Sequence, residues 1–330
     1  MSGDAGEADF WRGRRVFITG CTGFLGTWLT AALLERGASV VGLVREHEPE
    51  SQLVRSGLID RVEQVPGELL DYSLLQRTLI DCAIDTVFHL AGQTIVGVAN
   101  REPVATFETN IRGTWLLLEA IRQTPTVRGV IIASSEKAYG EQLNLPYRED
   151  YSLQGRHPYE VSKSCADLIA QSFAHTFGLA IAVTRCSNLY GGGDVSWNRL
   201  IPGTIRSLLH HERPVIRSDG SFRRDYLYVA DAVRGYLMLA ERLTEPGVRG
   251  EPFNLGSGCP VSALDVVRTI IALSEHPDWQ PLILNEVKHE IQDEYLSPQK
   301  ALAAVGWEPQ YSLAAGLEEA LRWYHAYLRP

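Results

Sequence analysis

The chain has 330 residues, enough for one large α/β domain carrying a smaller lobe, and its 45 % hydrophobic and 22 % charged content is too apolar for a disordered protein. A formal charge of -9, from 31 Lys+Arg against 40 Asp+Glu, argues against a general nucleic-acid or anionic-membrane partner, because both need a basic surface. An anionic substrate must therefore be met by a few local arginines.

The five cysteines, Cys21, Cys82, Cys165, Cys186 and Cys259, show no CxxC or Cys/His spacing, so neither a disulfide framework nor a metal site is expected. No apolar run is long enough to cross a bilayer. Met1 to Ala8 is rich in glycine and acid, unlike a signal peptide, and a cytoplasmic protein is expected.

In chain order, Arg15–Thr19 reads as a short buried strand running into glycines. Residues 27–36 follow with helical periodicity and stop at Gly37, a natural helix end. Ser39–Val44 is a second β-branched run. Further strands are predicted at 61–65, 86–90, 129–134 and 181–185, with helices at 72–79, 104–121 and 159–177. Such alternation implies a parallel, doubly wound sheet. After Asn188 the rhythm breaks: Gly191-Gly192-Gly193-Asp194 is a loop, and Pro202, Pro214, Pro252, Pro260, Pro281, Pro298 and Pro309 punctuate shorter elements. Residues 12–187 are thus expected to form a dinucleotide-binding domain, and 188–330 a smaller C-terminal α/β substrate lobe. A strand near Phe253–Leu255 can return to the main sheet.

Gly20-Cys21-Thr22-Gly23-Phe24-Leu25-Gly26 is GxxGxxG between a strand and a helix. Glycines there let the backbone turn tightly and approach a pyrophosphate, whose charge suits a helix N-terminus. Tyr159-Glu160-Val161-Ser162-Lys163 is YxxxK, and residues four apart on a helix share a face. Lys163 can then lower the phenol pKa and hold a ribose, so that Tyr159 takes a hydroxyl proton near neutral pH. Alone, YxxxK is more often an incidental surface pair; behind a strand and beside GxxGxxG it reads as chemistry.

Together these motifs resemble the extended short-chain dehydrogenase/reductase family of NAD-dependent epimerases and dehydratases, whose Rossmann sheet the strand pattern matches. The resemblance implies cofactor contacts from Gly20, Gly23, Phe24, Leu25 and Gly26, from Glu68 and Leu69 beside adenine, and from Leu90, Ala91 and Gly92 at a strand end. Asn110 resembles the family's helix asparagine, and Tyr159 and Lys163 complete the set. The second strand ends in Val44, Arg45 and Glu46 without the ribose-binding acid of NAD enzymes, and Arg45 could accommodate a 2′-phosphate, so NAD and NADP both stay open.

Ser135-Glu136-Lys137 lies where the family binds the sugar hydroxyl. An exposed salt bridge is the ordinary reading of such an acid/base pair. Epimerases need only Ser/Thr, Tyr and Lys, whereas 4,6-dehydratases also remove the C5 proton and expel the C6 hydroxyl. The triplet is similar to the Ser-Asp-Lys of CDP-glucose 4,6-dehydratases with one extra methylene, while Arg223-Arg224-Asp225-Tyr226 is nearer to epimerases. The resemblance implies substrate contacts from Gln93, Asn188, Arg199, Leu200, Arg217 and Arg224, Arg199 and Arg224 on the diphosphate. His289-Glu290-Ile291-Gln292-Asp293-Glu294 is acidic where relatives offer a phosphate-binding base.

The expectation is therefore a nucleotide-sugar 4,6-dehydratase, with Tyr159 as C4 base, Lys137 as C5 base and Glu136 as C6 acid. A 4-epimerase using Ser135, Tyr159 and Lys163 is the alternative, and a dinucleotide-sensing protein without turnover the non-enzymatic one. Relatives pair as homodimers through helices matching 104–121 and 159–177; Trp115, Leu116, Leu117, Ile169 and Phe173 suit such a face or an internal core equally.

Overall fold

The computed structural model describes residues 10–46, 48–286 and 291–328. Met1 to Ala8, and His289 and Glu290 of the acidic run, lie outside the described residues.

Seven parallel strands form the main sheet in the order β10-β6-β5-β4-β1-β2-β3. They are β1 (Arg15–Thr19), β2 (Ser39–Val44), β3 (Glu63–Pro66), β4 (Thr86–His89), β5 (Gly129–Ala133), β6 (Ile181–Cys186) and, from the C-terminal half, β10 (Pro252–Leu255). β10 joins the edge beside β6 with Phe253 opposite Thr184, so the expected returning strand is present. The central strands read as unbroken apolar runs because helices cover both faces; Val16, Phe17 and Ile18 are all fully buried. Helix α1 (Phe24–Glu35) lies on one face, and α2 (Tyr72–Asp81), α3 (Gly113–Arg122) and α4 (Pro158–Phe177) on the other.

Two helices differ from the sequence expectation for physical reasons. α1 begins at Phe24, three residues early, so Gly26 is helical despite glycine's poor propensity. Close packing explains it: a Cβ at Gly26 would come within 2.0 Å of the Gly20 carbonyl. The expected helix over 104–121 starts as Pro103–Phe107, widens into a π turn over Glu108–Arg112, and continues as α3. The π turn carries Asn110, and nothing in apolar periodicity signals it. Leu117 is fully buried, and Leu116, Ile169 and Phe173 pack on the sheet core; Trp115 alone of the five dimer candidates is exposed, at 43 %.

The second lobe is built on β9 (Arg223–Tyr228), which pairs with β7 (Asn188–Tyr190), β11 (Pro260–Ser262) and β13 (Asp293–Glu294). β8 (Val215–Ile216) pairs with β12 (Leu282–Ile283). Around these strands lie helices α5 (Leu200–Leu209), α6 (Val229–Glu241), α7 (Ala263–Ala272) and α8 (Leu313–Leu328), with Ile205, Val266, Ile270, Leu317 and Tyr324 in the core.

One buried ion pair fastens these parts where the site will lie. Arg185 on β6 binds Asp167 of α4 with two hydrogen bonds, of 2.8 and 3.0 Å, both side chains being at most 2 % exposed. Its third nitrogen donates to the Tyr139 hydroxyl at 2.8 Å, and that hydroxyl donates to Asn254 of β10 at 2.7 Å. Removing one partner of such a pair strands a charge in a low dielectric. Asp167→Ala should therefore cost about 3–5 kcal/mol in urea denaturation, and adding Arg185→Met should restore much of it. A loss near zero for the single variant would show that the pair does not hold the fold.

Candidate active site

The glycine turn fits a diphosphate. Gly20 has φ +77, and a Cβ there would meet the Ala91 amide nitrogen at 2.8 Å, so glycine is required at both levels. Gly23 is the N-cap of α1 and brings no side-chain acceptor, leaving the first-turn N–H groups to meet an anion. A cavity of about 480 Å³ opens beside the turn, lined by Thr22, Gly23, Phe24, Glu50, Gly193 and Ser196, among others. It joins the sheet's strand ends to the second lobe. Leu25 packs in the core on the inner side of α1.

His89, at the end of β4, sets the neighbouring segment Leu90-Ala91-Gly92. Its Nε2 lies 3.0 Å from the Thr114 hydroxyl, which donates its own proton to the Asn110 carbonyl and so must accept from the ring. The bare Nδ1 then accepts from the Thr19 hydroxyl at 2.7 Å, and Thr19 in turn accepts the Ala91 N–H at 3.2 Å. Burial, with the Lys163 charge adding to it, pushes His89 down to about 3, so the ring is neutral. Asn110 binds the Gln93 backbone at both its N–H (2.7 Å) and its carbonyl (3.0 Å), and donates to Ser162 at 2.9 Å. A Cβ at Gly92 would meet Asn110 Oδ1 at 2.9 Å.

α4 starts at Pro158, with Glu160 accepting the N–H groups of Arg156 and His157. Tyr159 therefore sits in the first turn and Lys163 one turn on, both nearly buried. Lys163 donates to the Ala133 carbonyl at 2.8 Å, and burial pulls its ammonium down to about 8. Burial raises the Tyr159 phenol, against which a hydrogen bond from Ser135 and the charges of Arg199 and Lys137 act.

Ser135 caps the 3-10 turn Glu136–Tyr139, accepting the Lys137 N–H at 3.2 Å. Ser164 of α4 clamps that turn by donating to the Ala138 carbonyl at 2.9 Å. Glu136 is 1 % exposed: Oε1 accepts from Asn188 at 2.7 Å, and Oε2 has no hydrogen-bond partner among the described residues. Burial first, and the Glu294 charge second, hold its pKa well above the carboxylate range, with Lys137 opposing. Lys137 ion-pairs with Glu294 of β13. Burial lowers its pKa, but the carboxylates of Glu294 and Glu136 outweigh this and leave the ammonium above its ordinary value.

The geometry is thus a phenol, a buried carboxyl with one unpartnered oxygen and a paired lysine at one strand end, next to a glycine turn. The GDP-mannose 4,6 dehydratase family model matches residues 17–320. The chain belongs to this family. CDP-glucose 4,6-dehydratase of Salmonella typhimurium is 31 % identical over 98 % of this chain and 94 % of that protein. Among solved structures, UDP-glucose 4-epimerase of Thermotoga maritima, with UDP-glucose, superposes with a TM-score of 0.87 at 27 % identity, covering 96 % of this chain and all of that one. A dTDP-glucose 4,6-dehydratase of Streptomyces venezuelae with NAD bound gives 0.83 at 26 %, covering 94 % and 97 %. The chain is accordingly an enzyme of the nucleotide-sugar dehydratase and epimerase type with a Rossmann-like sheet.

Within this family fold the expected substrate residues are distributed unevenly. Arg199 precedes α5, pairs with buried Asp194 at 3.1 Å, and is near enough for its charge to act on Tyr159. Leu200 opens α5 and packs on the second core. Asn188 spends its amide on Glu136, and Gln93 turns its carbonyl oxygen to the Ile95 N–H at 3.0 Å. Arg224 donates to the carbonyls of Arg223 (2.9 Å) and Gln292 (3.0 Å) and lies 3.8 Å from Glu294. Arg217 is exposed beyond β8, apart from the buried cluster. Toward adenosine, Leu69 is buried against Gly113, Glu68 is exposed, and Arg45 pairs with Glu46 at 3.5 Å.

Glu294, which the sequence reading takes only as part of an acidic run, joins the candidate site through Lys137. The available signal was Lys137 itself: an ammonium at a buried strand end needs a carboxylate, and the acidic run at 289–294 supplied one.

Because His89 is held neutral, the unfolded chain binds a proton between pH 6.5 and about 3 that the native protein does not, so stability falls as pH falls through that window. His89→Gln should flatten the stability-versus-pH slope there by about one proton, about 1.4 kcal/mol per pH unit. Denaturant titrations across the window test this, and an unchanged slope refutes the neutral ring.

Proposed function

We propose that this protein is a nucleotide-sugar 4,6-dehydratase that uses NAD and takes a CDP-glucose-like substrate. The observation carrying the reading is Glu136: a buried carboxyl, raised in pKa, with one oxygen unpartnered, in the turn that also carries Ser135 and Lys137. A 4-epimerase needs no such acid.

NAD, held at the glycine turn over residues 20–26 and by Lys163, would supply a hydride acceptor for C4 and a hydride donor for C6. Tyr159, as the phenolate that the Ser135 hydrogen bond and the charges of Arg199 and Lys137 favour against burial, takes the proton of the C4 hydroxyl. The resulting 4-ketone makes C5–H acidic, and Lys137 removes that proton. Glu136 gives its proton to the departing C6 hydroxyl, which leaves as water, and Lys137 returns its proton to C5. The proton gained by Tyr159 replaces the one lost by Glu136, so the cycle closes. Lys163 keeps its charge up to about pH 8 and would hold the nicotinamide ribose. NAD rather than NADP is supported by the solved dehydratase relative with NAD bound, and Glu46 beside Arg45 would oppose a 2′-phosphate. Arg199 and Arg224 would exchange their present partners for the diphosphate.

We further infer a cytoplasmic homodimer formed through the π-turn helix and α4, whose outer surface exposes Val104 (73 %), Trp115 (43 %) and Leu168 (56 %). A 4-epimerase is the second reading, favoured by Lys137 being engaged by Glu294 and so less ready to act as a base.

Incubation with CDP-glucose, and with UDP-, dTDP- and GDP-hexoses, should yield a 4-keto-6-deoxy sugar. Turnover giving only the C4 epimer would sink the dehydratase reading. Glu136→Gln should retain C4 oxidation but slow water loss by about 10²–10⁴-fold; little change would favour the epimerase.

A further inference from the structure

Glu294 reaches the site from the far lobe. β13 runs parallel to β9 with Glu294 opposite Arg224, and the chain just beyond is held by Tyr147, whose N–H donates to the Tyr295 carbonyl at 2.9 Å and whose own carbonyl accepts the Ser297 N–H at 2.9 Å. The carboxylate is fully buried, with Oε2 bonded to the Lys137 ammonium and Oε1 without a hydrogen-bond partner among the described residues. Lys137 keeps about a quarter of its side chain accessible (23 %), whereas Glu294 has none.

We propose that Glu294 is a positioning residue and proton acceptor for Lys137, forming with it a self-contained pair that delivers the neutral amine needed at C5. The inference rests on the dehydratase reading and deepens it. An ammonium cannot take a proton, and near neutral pH a lysine flanked by carboxylates does not lose one to water. Within the pair the proton need not leave: Lys–NH₃⁺ with Glu–COO⁻ becomes Lys–NH₂ with Glu–COOH, with no change in net charge. The amine then takes H⁺ from C5, leaving the electron pair to form the C5=C6 bond as the C6 oxygen departs on the proton from Glu136. When hydride reaches C6, Lys137 returns H⁺ to C5 and Glu294 restores its own to the amine. The ion pair is the resting arrangement, and burial narrows the gap to the uncharged one, because charges lose hydration there.

The groups that face Lys137 are few and named. Glu294 comes from β13, Arg224 from β9, Glu136 from its own turn, and Tyr159 from α4. Asp225 acts on Glu136 but is held by the N–H groups of Ser257, Gly258 and Leu296.

The test uses exchange at C5 of CDP-4-keto-6-deoxyglucose in D₂O with the NAD-loaded enzyme, followed by NMR. This isolates proton removal from hydride transfer. Unaltered enzyme should exchange at a rate flat across the neutral range, since the proton is passed inside the pair. Glu294→Gln leaves Lys137 to lose its proton to solvent, so exchange should fall at the acid end and climb with pH, about tenfold per pH unit below a lysine pKa that burial, unopposed by Glu294, draws down. Glu294→Asp should retain the flat profile at a reduced rate. Exchange at the normal rate in Glu294→Gln, or a loss with a flat profile, overturns the proposal. Should that variant not fold, Lys137→Arg preserves the ion pair but cannot release a proton; exchange surviving in it likewise overturns the proposal. Failure of the dehydratase reading looks different: the unaltered enzyme itself then exchanges no C5 proton and makes only an epimer.

Discussion

The structure depends on a single constraint, that charged and polar groups taken out of water must be met by a partner, either an opposite charge or a hydrogen-bond donor. Around the turn Glu136–Tyr139 the chain buries Glu136, Asp167, Arg185, Asp225 and Glu294 to 2 % exposure or less. No neighbouring element can hold its position unless another supplies the partner. Arg185 meets Asp167 and so ties β6 to α4; Lys137 meets Glu294 and so ties β5's end to the far lobe; Asn188 meets Glu136 from β7. Each link fixes a piece of backbone that carries a side chain of the candidate site. Positioning and charge balance are here one problem, since an unpaired member would cost several kcal/mol.

That coupling explains the placement of the acid. Ordinary carboxyls at this depth are strongly disfavoured as anions, so the site tilts Glu136 toward its protonated form without any dedicated device. The nearest positive charge, Lys137, would normally reverse this. It does not, because Glu294 claims the ammonium. A carboxylate that looks structural thereby decides which of its neighbours carries the proton. Two carboxyl groups and one amine in contact thus settle into different roles through environment alone.

Much of the fold was legible in the sequence because parallel strands covered on both faces leave continuous apolar runs, and glycines at Gly20 and Gly23 mark a turn that side chains would block. β1 and β2 match their expected bounds, and the return of β10 was foreseen from Phe253–Leu255. The boundary of α1 was not, since propensity places glycine outside helices while the contact of Gly26 with the Gly20 carbonyl demands it inside. The π turn at Asn110 was hidden for a related reason: apolar periodicity reports which face is buried, and one extra residue in a turn hardly disturbs it. In the site, local motifs were readable and long-range partners were not. Ser135, Tyr159 and Lys163 sit within one strand–helix unit, whereas Glu294 is 157 positions from Lys137 and belongs to a two-residue strand with no pattern of its own.

The extra methylene of Glu136, compared with an aspartate, follows from this arrangement. An aspartate at the start of the turn would end about one C–C bond short, and misplacement on that scale weakens proton transfer sharply. Here the longer side chain reaches the Asn188 amide on β7, a strand of the substrate lobe, and that hydrogen bond of 2.7 Å fixes one oxygen while the other remains uncommitted. A carboxyl held by one oxygen is oriented and still able to donate through the other. The length of the acid and the position of β7 are therefore matched to each other, and neither can be changed alone without breaking the Asn188–Glu136 hydrogen bond that joins the two lobes.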